Sequence, residues 1–160
     1  MKTSLVTLLS CLALSVLFPV SARANPEVEK GVQALAAQHR KAWDTRDINL
    51  LMDCYGPPEG LLIGGGTIYP DLAALKERTL QIWSDRTADA WKNDRVHVVV
   101  LDANTALMQI VFSGRYTLKS GVTWEFNSSA SLTTLVRRLG GKWKIVAYAN
   151  AASGKQVGKK

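Results

Sequence analysis

The chain reads as one α+β domain, with helices first and then an antiparallel meander of strands on which they pack. Apolar side chains recur at helical spacing from residue 26 to residue 83. From residue 95 the texture changes to runs rich in Val, Thr and aromatics, which read as strands over 95–101, 105–118, 122–138 and 142–150. The breaks between them, Asp102-Ala103-Asn104, Lys119-Ser120-Gly121 and Gly140-Gly141, have the turn chemistry of hairpins.

The N-terminus is of another kind. Lys2 precedes the apolar run LVTLLSCLALSVLFPV, and small residues follow at Ala22 and Ala24, the pattern of a secretory signal cut after Ala24. The run is short for a membrane span and is interrupted by Pro19. A lipoprotein signal ending at Cys11 would not continue as an apolar run beyond the cysteine, as this one does. The expectation is a periplasmic or secreted protein without a stable membrane anchor. It comprises a domain over 25–152 and a flexible basic tail over 153–160.

Loss of the signal removes Cys11 and leaves Cys54 alone, so packing and not an internal disulfide must hold the domain. No imidazole or helix N-terminus adjoins Cys54 in the sequence, and it reads as buried filler. The formal charge of +7 falls to +5 without Lys2 and Arg23, and three of those five charges are tail lysines. No basic run is interleaved with aromatics, so a nucleic-acid partner is not expected.

Taken in order, Val28, Val32, Leu35, His39 and Ala42 form one face of a helix over 26–45, with Arg40 and Lys41 off the stripe and read as solvated. Asp47 caps a short second helix, which Pro57-Pro58 ends. Residues 60–63 read as a short buried strand stopped by Gly64-Gly65-Gly66, a turn that lacks the Lys-Ser/Thr of a phosphate loop. Asp71 then caps a third helix through Leu72, Leu75, Thr79, Ile82 and Trp83.

The segments AWDTRDINLLMDCY, GLLIGGG, PDLAALKERTLQIW and LVRRLGGKWKIVAYANAAS, in that order, resemble the NTF2-like superfamily, in particular its SnoaL-like and DUF4440-type members. The resemblance spans the mature chain and rests on pattern and order. It implies a cone-shaped barrel, with N-terminal helices packed on a strongly curved antiparallel sheet that encloses a pocket. The superfamily includes isomerases, cyclases and dehydratases as well as non-catalytic binding and dimerisation domains, so the fold leaves function open. Carried across from ketosteroid isomerase, the tyrosine position falls on His39, the base beside Ile63 and the late-strand acid near Thr133. Without a carboxylate near Ile63, proton abstraction by that route has no base.

The strand over 122–138 has two faces, and the sequence leaves both open. Thr123, Glu125, Asn127, Ser129, Ser131 and Thr133 share one; Val122, Trp124, Phe126, Ala130 and Leu132 share the other. By the isomerase mapping the odd face lines the pocket, with Glu125 its ionisable group; by polarity alone the odd face is outside. His39 is either a hydrogen-bonded core histidine or a pocket donor or acid near neutral pH. Trp43, Tyr55, Trp83 and His97 are candidate ligand contacts, together with Ile63, Asn127 and Thr133, and Tyr69 and Trp91 are weaker ones. His39 and His97 are the only histidines and lack ligand-pair spacing, so neither metal nor cofactor is expected. Two functions follow. One is binding of a small, mainly apolar ligand by a homodimer. The other is cofactor-independent isomerase, lyase or cyclase chemistry with His39 and Glu125 as acid and base.

Overall fold

A computed structural model describes residues 25–159, and the segment expected to be a secretory signal lies outside the described residues. Helix α1, Pro26–Thr45, begins where the sequence requires it: the Asn25 side chain accepts from the Val28 N–H, and a proline occupies the first turn. Its buried face is Val28, Val32, Leu35, Ala36, His39 and Ala42. Arg46 closes it in the left-handed region at φ 51°. Asp47 accepts from the Asn49 and Leu50 N–H groups and starts α2, Ile48–Asp53. Asp71 accepts from Ala74 and starts α3, Leu72–Ser84.

Strands follow as β1 (Leu62–Gly64), β2 (Thr67–Tyr69), β3 (Arg86–Asp102), β4 (Thr105–Leu118), β5 (Val122–Leu139), β6 (Lys142–Ala152) and β7 (Lys155–Lys159). They form one sheet in the order β2-β1-β6-β5-β4-β3, with β7 added to β5. Three expectations are corrected here. The sheet is mixed, because β1 runs parallel to β6, and it stays open between β2 and β3 instead of closing into a barrel. The tail is ordered: residues from Lys155 to Lys159 pair with the first half of β5, whose edge β6 leaves uncovered. Strand β3 begins nine residues before residue 95, since the polar stretch 86–94 lacks an apolar period and owes its order to pairing with the far half of β4.

The sheet bends along a line of irregularities. In β3, Asp94 is an extra residue between the pairs Asn93–Phe112 and Arg95–Val111. In β5, three residues, 127 to 129, oppose Ser113 alone. Asp94 joins these irregularities, accepting from Ser113 Oγ at 3.0 Å and from Ser128 Oγ at 2.6 Å, and Ser128 takes a φ of 53°. These hydrogen bonds, Ser128 foremost, hold the Asp94 carboxyl below its usual pKa.

Face parity follows from this count. One extra residue in β3 switches faces, so Trp91 and Asn93 point inward before the bend and Val96, Val98 and Val100 after it. Two extra residues in β5 do not, so Phe126, Ala130 and Leu132 share the inner face throughout. Beneath the helices the core is apolar, with Val32, Leu51, Leu62, Met108, Val136 and Ile145 fully buried.

Candidate functional site

Between α1, α3 and the concave face of the sheet lies a cavity of about 650 Å³, a size suited to a small organic molecule. Its wall has three zones. Ile110 and Leu132, paired across β4 and β5, form an apolar floor at the middle, and Leu75 and Ile82 of α3 also line the space.

On one side of that floor stand His39, Tyr55, Tyr69 and Tyr148. His39 reaches the sheet because it fills the fifth place of the buried stripe on α1. Its Nε2 is hydrogen-bonded to the Tyr55 hydroxyl at 3.3 Å, and the Tyr55 ring meets Tyr148 edge to face at 5.9 Å. Tyr69 donates to the Gly64 carbonyl at 3.3 Å. Burial, with the charge of Arg40 second, pulls the His39 pKa from 6.5 to about 4. The imidazole is therefore neutral at pH 7, with one ring nitrogen a donor and the other an acceptor, and not the acid that was one expectation for it. Burial raises the pKa of Tyr55 and Tyr148, so both stay protonated donors.

On the other side is an aromatic box. Trp91 lies 5.6 Å from Phe112, 6.1 Å from Tyr116 and 5.5 Å from Phe126, and Tyr116 stacks on Phe126 at 5.9 Å. The Arg86 guanidinium covers this box, 4.0 Å over the Tyr116 ring. Gly114 makes the box possible, because a Cβ there would sit 2.3 Å from the Ala90 carbonyl oxygen and 2.6 Å from the Trp91 ring. The mouth is shaped by the β1–β2 turn, where Gly65 N–H donates to the Asn150 side chain at 2.7 Å.

His39, Trp43 and Tyr55 line the cavity, as do Tyr69 and Trp91. The remaining candidates lie elsewhere. Glu125 is on the outer face beside Phe126, level with Arg115 on β4 and Lys155 on β7, where it has ordinary cross-strand charge neighbours. Asn127 and Thr133 share that outward parity and are exposed. His97 is exposed because the extra residue at Asp94 turns odd positions outward after it. Ile63 is half-buried between Ile68 and Ala149 and does not line the cavity. Trp83 is core, 5.4 Å edge to face behind Trp43. Cys54 is buried, with its thiol pKa pushed up to about 12 by burial.

The sequence reading missed Arg40, Arg86, Tyr116 and Tyr148. Arg40 was read as solvated, yet its side chain is only 18% exposed. The signal lay in its spacing: it is three residues before Trp43 and adjoins the buried stripe. Arg46, at the end of α1, donates to the Trp83 carbonyl at 3.0 Å and to Asp89 at 2.7 Å. Among the described residues no group of three or more His, Cys, Asp or Glu is placed to hold a metal ion.

No family model and no curated protein sequence matches the chain. Solved structures do. A hexachlorocyclohexane dehydrochlorinase, LinA-type3, from Novosphingobium barchaimii LL02 is 14% identical with a TM-score of 0.70, covering 82% of this chain and 90% of that one. An NTF2-like superfamily protein from Salmonella enterica gives 14% identity and a TM-score of 0.71, over 82% and 95% of the two chains. A ketosteroid isomerase-like protein from Erwinia carotovora atroseptica gives 20% and 0.62, over 81% and 98%. At such identities the likeness speaks for architecture alone. From residue 25 to its C-terminal strands, this chain has the NTF2-like fold.

Proposed function

We propose that the protein is an exported binding domain that holds a small, mainly apolar ligand in the cavity beneath α1 and α3. The observation that carries this is the wall itself. It combines an aromatic cluster and an aliphatic floor, both shaped by the bend of the sheet, with polar side chains from α1, α3 and the strands at its sides. Export rests on the segment ending at Ala24, and a periplasmic or secreted chain beginning at Asn25 by intact mass is the expected product.

Titration calorimetry with 2-naphthol tests the binding reading against a filled cavity. Wild-type protein is expected to bind, and Ile110→Trp, which projects an indole from the floor, to bind at least about tenfold more weakly. Equal affinity for the two proteins, or no heat with either, sinks it.

A second reading is supported by one observation, the neutral His39 hydrogen-bonded to Tyr55 on the cavity wall. Such a pair can hydrogen-bond a substrate carbonyl and polarise it, as a lyase or isomerase requires. Glu125 has no part in it, since it stands on the other face of the sheet. On this reading His39→Gln abolishes turnover and leaves binding intact; on the binding reading no turnover exists to lose.

A further inference from the structure

The charge on the cavity wall is of one sign. The chain has 13 acidic residues, yet none lines the cavity, whereas Arg40, Arg78 and Arg86 all do. The counterions stand back from the space. Asp44, an exposed residue one turn along α1, approaches Arg40 Nη2 at 2.9 Å. Asp89 is shared between Arg86 Nη1 at 3.0 Å and Arg46 Nη2 at 2.7 Å. Two carboxylates thus answer three guanidinium groups, and Arg78, on α3, adds another charge whose hydrogen-bond partner among the described residues is the neutral Gln81 side chain.

Arg40 shows the imbalance most directly. Its Nη2 lies 2.9 Å from Asp44 Oδ1, but its Nε is buried without a hydrogen-bond partner among the described residues. A buried guanidinium with unused donors is costly unless an acceptor arrives. Arg40 lines the cavity next to His39, and the charge of Asp89, the partner of Arg86, acts on it in turn.

Resting on the binding reading above, we infer that the ligand is a small apolar acid, an aromatic or alicyclic body carrying a carboxylate-class anion. The body lies in the cavity against Trp91, Tyr116 and Phe126, and the anion is held by Arg40 and Arg86, whose planar forks suit two oxygens. A neutral ligand of the same shape leaves the Arg40 Nε and the uncompensated charge unanswered.

The test compares 2-naphthoate with its neutral isostere 2-naphthamide by titration calorimetry at pH 7. Wild-type protein is expected to favour the carboxylate by about tenfold or more. Arg40→Gln and Arg86→Gln, each checked for a native circular dichroism spectrum, are expected to lose that preference while still binding the amide. Arg78→Gln, at an exposed position, is expected to reduce it. Equal binding of the two compounds by wild-type protein overturns the anion inference and leaves the apolar-ligand reading standing. Binding of neither overturns that reading and this inference with it.

Discussion

At the scale of the residue, His39 carries a consequence that stability measurements can read. Its folded-state pKa of about 4 lies below the ordinary 6.5, so the unfolded chain is the state that takes up the proton. The associated stability is complete above pH 6.5 and is lost as the pH falls through about 4. The full swing is about 3 kcal/mol at 1.36 kcal/mol per pH unit. Urea unfolding between those pH values is expected to show this fall in wild-type protein and a flatter profile in His39→Gln. An identical slope in both proteins would remove His39 from the account. Its inward direction was legible from its place in the 4-3-4-3 stripe, but its protonation was not, because burial and the neighbouring Arg40 charge are facts of packing. Arg40 shows the same divide: one step off the stripe reads as solvent in a sequence, and here it is the wall of a cavity.

Among elements, the bend of the sheet decides what the site contains. The helices and the caps at Asp47 and Asp71 could be read directly, since capping and periodicity are local. Strand faces could not, because they depend on how many residues a bulge inserts. One residue at Asp94 reverses β3 and sends His97 out, while two in β5 keep Phe126 and Leu132 on one side and Glu125 on the other. The early half of β3 was also hidden, its polar sequence being held by pairing alone. Gly114 tests this level. Gly114→Ala forces a Cβ against the Ala90 carbonyl and the Trp91 ring, and is expected to cost about 1–3 kcal/mol by denaturant titration and to weaken ligand binding. Unchanged stability with unchanged binding would show that the aromatic box does not depend on this contact.

For the molecule as a whole, the outer face of the sheet is as distinctive as the inner one. Val99, Leu107, Leu135 and Ala147 form one row across β3, β4, β5 and β6, and His97, Gln109, Thr133 and Ala149 the next. Val99 and Leu107 are 45% and 40% exposed, and these rows contain no Asp, Glu, Lys or Arg. We propose that a second copy of the chain covers this face, because a surface with an apolar row and no carboxylate, lysine or arginine in these rows can be self-complementary about a twofold axis. Light scattering behind gel filtration is expected to give twice the chain mass for wild-type protein and the single mass for Leu107→Glu; a monomeric wild type would refute the dimer.

The central claim is that the cavity between helices and bent sheet is where ligand binds, and the five tryptophans allow a direct test. Trp43 and Trp91 line the cavity, whereas Trp83 is core and Trp124 and Trp143 lie away from the lining. Nuclear magnetic resonance of the indole N–H groups, assigned by Trp→Phe variants, follows all five during titration with 2-naphthoate. The account predicts saturable shifts at Trp91 and Trp43, with Trp124 and Trp143 unmoved. Shifts confined to Trp124 or Trp143, or none at any ligand concentration, would contradict it.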